Sequence, residues 1–548
     1  MTPGRPRLWP ALAAGVALAA ATPPAWFPGA EWLVLVGLGL WFHVATDERR
    51  PGWHFYLLGC VHMALFSWSV RNVLFLAYAL IVLLGGLYFL LASKATRAVA
   101  PRWRAVAFVV AATASFWARA AMPEICYPHG QPCHALYEWP ATLLPVVVGG
   151  EPLMNALLAA GAVASLPLLL AVRKGTAWRA PLARFAAVVA VWIGTAVVGA
   201  SCLPVPDAKA PPVRVAAIEP GFHWMQEWLA TPLAQRAARN RQLVQERLLD
   251  PTRALWSSPS PPTVVLWPES SLHDSVALRD LERGSVRMLP DLLPPAPKSS
   301  RLVLGAHVQD AGPPTPAAIL LDADGRVLAH QEKRRLVPGG EFQPFFGLLP
   351  AAWSKALRDM FERAFLTLPT ATPGRELPPL ADAAGIKFGA LLCYDNAFPE
   401  PAAAQVEMGA QWLCVLSNEA WYEGGGELHQ LMAMTVIRAL ETGTPLVRCT
   451  LDGWTGWVDA RGKLRDHLPV QPAPQPAARI LQVDVPPGAG RLPPLAWLRA
   501  AVGPLCGIAT GSLLLLGLWR WAKLRAARTA SRTGASPGLD QGTPGSGS

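Results

Sequence analysis

The chain has 548 residues, of which 52% are hydrophobic and only 16% charged, with a formal net charge of +11. A soluble protein of this size carries about 25% charged residues, so an ordinary soluble composition is excluded. The basic excess clusters beside apolar runs, which is the pattern of membrane topology and not of a nucleic-acid footprint.

Long apolar runs dominate residues 8–203. Candidate spans lie at 8–27, 31–46, 53–70, 73–93, 105–122, 150–172 and 183–202, with an eighth at 500–519; each is close to the ~20 residues needed to cross a bilayer. Arg5 and Arg7 precede the first, and Arg49 and Arg50 follow the second. Lys94, Arg97, Arg102 and Arg104 follow the fourth, Arg173, Lys174 and Arg179 the sixth, and Arg520, Lys523, Arg525 and Arg528 the last. Loops 28–30 and 123–140 carry no Lys or Arg, and the junction between the third and fourth spans carries only Arg71. Eight spans put every basic cluster on one side, so the expectation is cytoplasmic termini with residues 213–485 on the opposite face. The first apolar run reads as a retained helix rather than a cleaved signal peptide.

Residues 213–485 alternate short β-rich runs with helical ones. Strands are expected in VRVAAIEP (213–220), TVVLWPE, RLVLGAHV, a hairpin through DADG (317–333), FGALLCYD, QWLCVLSN, 445–462 and RILQVDV. Helices are expected near 224–249, 398–408 and 428–442. Continuous apolar strands imply sheets covered on both faces, and the alternation implies α/β layering. The division reads as 1–205, a membrane domain of about seven helices; 213–485, a globular domain; 497–520, a final span; and 529–548, a Gly/Ser/Pro-rich tail without a fold of its own. The stretch 342–366 suits an amphipathic arm dipping into the membrane interface and an ordinary core helix equally.

Three residues of the globular region form an acyl-transfer set: Glu269 ends the apolar run VVLWPE, Lys333 begins KRRLVPGGE, and Cys393 lies in GALLCYDN. A thiol supplies the nucleophile, a carboxylate its base and an ammonium the stabiliser of developing negative charge. Each alone has an ordinary structural explanation, as a core thiol, a helix cap or a solvated lysine; their joint occurrence in order is what points to chemistry. Cys414 and Cys449 read as core residues, and Cys60, Cys202 and Cys506 as packing residues in or beside spans. Cys126 and Cys133 share one loop and are as compatible with a disulfide as with two free thiols. The 11 histidines show no metal-ligand spacing, and neither a metal nor an organic cofactor is expected.

WPES, the pattern K-x-x-L-V-P-x-G-E-x-x-P over Lys333–Pro344, Cys393-Tyr394-Asp395, and SNEAWY followed by HQ and RALE together resemble the nitrilase, or carbon–nitrogen hydrolase, superfamily. With the flanking spans, the chain is similar to its membrane-bound branch, the apolipoprotein N-acyltransferases. The resemblance implies an α-β-β-α nitrilase-like sandwich joined to a multi-span helical membrane domain, in the inner membrane of a bacterium with the catalytic domain on the periplasmic side. It implies that Glu269 is the base, Lys333 the third triad member and Cys393 the nucleophile. Glu341 corresponds to a second essential glutamate, Tyr394 to the aromatic after the cysteine, and Trp228 to a tryptophan near the start of the domain. The implied reaction moves an acyl chain from a phospholipid through a Cys thioester to the α-amino group of diacylglyceryl-cysteine on an apolipoprotein. A membrane-tethered amide hydrolase and a catalytically silent lipoprotein-handling scaffold are the alternatives. Departures from the pattern are Asp395 where the family commonly has Glu, Gly339 where it has an aromatic, Gln331 in place of Tyr, and IEPGFHW without the usual Gln and Asn.

Overall fold

A computed structural model describes residues 7–206, 210–272, 275–284, 286–289, 292–293, 295–345, 348–365, 370–471 and 474–532. Seven helices form the N-terminal bundle: α1 Trp9–Ala21, α2 Leu33–Thr46, α3 Gly52–Phe66, α4 Phe75–Arg97, α5 Arg104–Ala121, α6 Val146–Lys174 and α7 Arg179–Cys202. A helix thus stands over each of the seven apolar runs. Among the described helices α4, α6, α7 and the C-terminal helix are long and apolar enough to cross a membrane; α1, α2 and α3 are apolar but shorter. The chain is a membrane protein. Its bundle core is aromatic at the centre, where Trp41 meets Phe89 at 4.4 Å and Phe108 at 5.1 Å between ring centroids. The start of α6 is kinked at Gly149 and Gly150; Gly150 has φ +66°, a conformation that favours glycine, and Pro152 follows it.

The globular region contains helices α8 Trp224–Ala230, α9 Arg236–Val244, α10 Asp250–Trp256, α11 Ala351–Phe365, α12 Pro399–Glu407 and α13 Glu427–Thr442, and α14 Ala496–Arg532 returns to the bundle. The single helix expected over 224–249 is divided. Thr231 is extended ahead of Pro232, a residue that disfavours helix before it and donates no N–H. The helix α14 extends through Arg532, past the start expected for the tail; the rest of that segment, 533–548, lies outside the described residues.

The strands are β1 Val213–Glu219, β2 Val264–Leu266, β3 Arg301–Gln309, β4 Thr315–Leu321, β5 Val327–Glu332, β6 Leu380–Ala381, β7 Lys387–Leu392, β8 Trp412–Ser417, β9 Leu446–Thr450, β10 Gly456–Val458, β11 Leu464–His467 and β12 Arg479–Val485. They form two mixed sheets, in orders β12-β1-β2-β3-β4-β5 and β11-β10-β9-β8-β7-β6, with Ser275–Ala277 added beside β3. The parallel β1–β2–β3 and β7–β8–β9 runs form the two sheet centres. Strand alternation sorts the layers: Val213, Val215 and Ala217 face the second sheet's Phe388, Trp412 and Cys449, while Ala216 and Ile218 face Leu248, Leu255 and Trp256. Cys449 donates its thiol to the Ile218 and Leu266 carbonyls at 3.3 Å each, the core role expected of it.

The outer helical layer on the second sheet is shared. Residues on both sides of α13, including Met432, Val436, Ile437 and Leu440, are buried in one core with Leu413 and Val415 of the sheet and Trp41, Phe108 and Leu158 of the bundle. A helix buried all round is what two apolar partners require. Ile437→Ala should therefore cost about 2–5 kcal/mol, read as a lower unfolding temperature of the detergent-solubilised full chain.

Candidate active site

Three strand ends deliver the site. Glu269 follows β2, and Trp267 before it is wholly buried, its indole donating to Thr252 Oγ1 at 3.0 Å. The backbone here runs so close to β3 that a Cβ on Gly305 would lie 2.6 Å from both Glu269 Cα and the Pro268 carbonyl oxygen. Lys333 follows β5 and is 1% exposed. Its ammonium donates to Glu269 Oε1 at 2.8 Å and to Glu341 Oε1 at 2.6 Å. Glu341 is held in turn, because its Oε2 accepts the Val337 amide at 2.8 Å. Glu269 Oε2 accepts the Asn418 amide at 3.2 Å, from the end of β8.

Cys393 is not within the strand FGALLCYD, as the apolar run suggested. β7 ends at Leu392, and Cys393 opens the 3-10 turn Cys393–Ala397 with φ +44°. A non-glycine residue in this region is strained by about 1–3 kcal/mol, and such strain concentrates at functional positions. The turn lifts the thiol out of the sheet toward Glu269, Lys333 and Ser417. Burial pushes the thiol up to about 12; repulsion from Glu269 adds to this, and Lys333 and Ser417 oppose it. Burial alone would lower the Lys333 pKa, but Glu269 and Glu341 outweigh it and hold the ammonium well above its usual range. At rest the centre is thus a neutral thiol beside an ammonium clamped by carboxylates.

Asp395 ties two of the delivering segments together. Its Oδ1 accepts the amides of Arg334 at 3.0 Å and Arg335 at 2.7 Å, and its Oδ2 accepts that of Leu392 at 3.1 Å. The residues flanking Lys333 and Cys393 are therefore stitched to one carboxylate, and the shorter Asp suffices. Burial nevertheless pushes this carboxyl up to about 6, against the lowering effect of Lys333 and the three amides. Tyr394 points the other way, donating to the Cys126 carbonyl at 2.9 Å, so the 123–140 loop of the bundle reaches the nucleophile turn.

Trp228 stands further out. Its indole donates to Asn240 at 3.1 Å, whereas Trp224, a residue that the sequence reading did not select, donates to the Ser270 carbonyl at 2.6 Å beside Glu269. Ser417 and Asn418 were visible only as part of the SNEAWY motif. Cys126 and Cys133 are both free thiols, which decides the open question of their pairing. His429 packs on Trp454 at 4.6 Å. Leu348 and Trp353 are 82% and 67% exposed, so the 342–366 stretch is not an ordinary core helix; residues 346, 347 and 366 of it lie outside the described residues.

The carbon–nitrogen hydrolase family matches residues 302–466, which contain Lys333, Glu341 and Cys393. Apolipoprotein N-acyltransferase of Caulobacter vibrioides is 29% identical over 500 residues, covering 84% of this chain and 86% of that protein. Over most of its length the chain is thus similar to the apolipoprotein N-acyltransferases, and its residues 302–466 match the carbon–nitrogen hydrolase family. The enzyme of the same name from Azotobacter vinelandii is 28% identical over 60% of this chain, and that of Geobacter metallireducens 32% identical over 28%. These two matches span 56% and 28% of the relatives' own length. Among solved structures, an amidase from Nesterenkonia sp. is 21% identical, covers 53% of this chain and 94% of that one, and has a TM-score of 0.31.

Three outcomes test this arrangement. Alkylation of Cys393 by iodoacetamide, followed by peptide mass spectrometry, should keep accelerating with pH beyond the ~8.5 at which an ordinary thiol levels off, because its thiolate forms only near 12. Glu269→Gln removes a repelling charge, so the levelling point should move to lower pH. Asp395→Asn turns the acceptor facing the Leu392 amide into a donor; it should cost about 1–3 kcal/mol, seen as a lower unfolding temperature.

Proposed function

We propose that this chain transfers a fatty acyl group from a phospholipid to the free α-amino group of the diacylglyceryl-cysteine at an apolipoprotein N-terminus. The observation that carries the reading is the buried Glu269–Lys333–Glu341 ion cluster beside a thiol on a strained turn, in a chain whose relatives carry that activity in their names.

In the first half-reaction Glu269 takes the Cys393 proton as Sγ attacks the ester carbonyl of the lipid. Lys333 and the backbone N–H after Cys393 stabilise the oxyanion. The C–O ester bond breaks, the lysophospholipid oxygen receives the proton from Glu269, and the acyl group stays on Sγ as a thioester. In the second, the acceptor amine attacks that carbonyl, its proton passes to Glu269, the C–S bond breaks, and the thiol is restored. A neutral resting thiol suits this order, because ionisation then accompanies attack and no thiolate stands in a pocket already holding two carboxylates. Glu341 keeps Lys333 charged and oriented throughout.

The surroundings support a lipid substrate. The 123–140 loop, free of Lys and Arg, meets Tyr394 at the nucleophile turn, and exposed Leu348 and Trp353 give the 342–366 segment an apolar outer face suited to the membrane interface. We assign residues 1–205 and 497–520 to the membrane domain and 213–485 to the catalytic domain. Positive clusters at every alternate connection favour cytoplasmic termini and a periplasmic catalytic domain in the inner membrane of a bacterium.

The test is mass spectrometry of a diacylated lipopeptide incubated with phospholipid and the purified full chain. A gain of one acyl mass at the N-terminal amine is expected, absent in Cys393→Ser. Release of free fatty acid without any gain on the peptide would overturn acyl transfer in favour of hydrolysis. Neither signal from folded protein would favour the silent scaffold.

A further inference from the structure

A cavity of about 650 Å³ lies behind the nucleophile turn, where bundle and sandwich meet. That volume is within the ~300–1,000 Å³ typical of small-molecule sites. Ala397 and Phe398 separate it from the catalytic centre, and Glu269, Lys333, Glu341 and Cys393 do not line it. One wall is apolar, from Trp117 at the end of α5 and Pro504 of α14; Trp497, 67% exposed, stands at the rim where α14 enters the bundle. Tryptophan in that position marks the membrane–water interface.

The other wall carries three guanidinium groups, of which Arg334 is paired with Glu376, among the carboxylates of Glu151, Glu400, Glu407 and Glu441. Arg438 of α13 is wholly buried. Its Nη2 meets Glu151 Oε1 at 2.6 Å and Glu441 Oε2 at 3.0 Å, but among the described residues its Nε and Nη1 find no acceptor. Arg499 of α14 donates through Nη1 to the Glu441 carbonyl, while its Nε and Nη2 are likewise without acceptors. Unanswered buried N–H groups are costly to leave dry, and the fork geometry of a guanidinium suits phosphate oxygens. Glu407 lines the same cavity from α12 and is exposed at its mouth. Cys133, His134 and Glu151 also come together nearby, with possible ligand atoms within 4.8 Å of one another, but the Arg438 guanidinium already occupies Glu151, which disfavours a cation there.

We propose that this cavity is a second lipid site, separate from acyl transfer, which holds an aminophospholipid headgroup: its phosphodiester on Arg438 and Arg499, its ammonium toward Glu407, and its chains along Trp117 and Trp497. The site does not depend on the reaction proposed above, since no catalytic residue takes part.

The experiment is photo-crosslinking of the full chain in nanodiscs, with a phosphatidylethanolamine carrying a diazirine near its glycerol and the labelled peptides mapped by mass spectrometry. Labelling is expected within 496–504 and 399–407. It should fall about tenfold in Arg499→Gln, as loss of a charge-assisted hydrogen bond implies, and also in Ala500→Trp, which fills the mouth, with unchanged unfolding temperatures. Absence of labelling there, or equal labelling in Arg499→Gln, would overturn the site. Equal labelling by a diacylglycerol probe would reduce it to apolar contact, and equal labelling by phosphatidylglycerol would remove the amine from the assignment. Competition by soluble glycerophosphoethanolamine as strong as that by the lipid would make the ligand a soluble phosphodiester and overturn the lipid.

Discussion

The Lys333 ammonium, held between Glu269 and Glu341, is the interaction on which the catalytic half depends. It joins the ends of β2 and β5 and the 337–341 loop at one point that is 1% exposed. Two carboxylates buried this close repel each other, and a lysine buried without them would lose its proton. Together they are stable because each relieves the desolvation of the others, and removing Lys333 would leave two carboxylates buried without a cation. Burial keeps the Cys393 thiol protonated, and repulsion from Glu269 of the cluster adds to it. The ion cluster thus fixes where the segments meet and reinforces the protonation state in which the nucleophile waits.

A second constraint is the shared helix α13. Packed on the second sheet on one side and on α6 and the 132–143 turns of the bundle on the other, it makes the sandwich and the bundle one continuous core. Its charged residues are bound into the same junction, with Arg438 bridging Glu151 of α6 and Glu441 of its own helix. Arg448 of β9 and Glu419, a wholly buried pair, anchor the adjacent sheet and take the Thr435 hydroxyl of α13 into their network. The catalytic turn is therefore fixed relative to the membrane helices by packing and ion pairs together, and the Tyr394–Cys126 hydrogen bond continues that link at the site itself.

Much of the fold was legible because its signals are local. Apolar length located the helices, β-rich runs located the strands, and the Asp-Gly turn of DADG formed the expected hairpin, with Asp322 accepting two amides and Gly325 at φ +75°. The failures also have local causes that only neighbours reveal. Pro232 divides a run whose composition still suits a helix. Cys393 leaves a strand whose apolar pattern continues through it, because Asp395 binds the Leu392, Arg334 and Arg335 amides and turns the chain there. Trp224 rather than Trp228 meets the Glu269 loop, a choice between two indoles four residues apart on one short helix.

The sequence by itself determined the kinds of parts: a membrane-bound chain, an α/β domain between its last two spans, and a Glu, a Lys and a Cys at the ends of apolar runs. These follow from hydropathy, periodicity and residue chemistry, which act over a few residues. Only the tertiary structure decided that one ammonium serves two carboxylates, that the thiol sits on a strained turn, that Cys126 and Cys133 stay apart, and that a polar cavity lies behind the site. The ammonium cluster and the turn depend on groups some sixty residues apart meeting within about 3 Å, the range over which hydrogen bonds form, and no local pattern encodes such meetings.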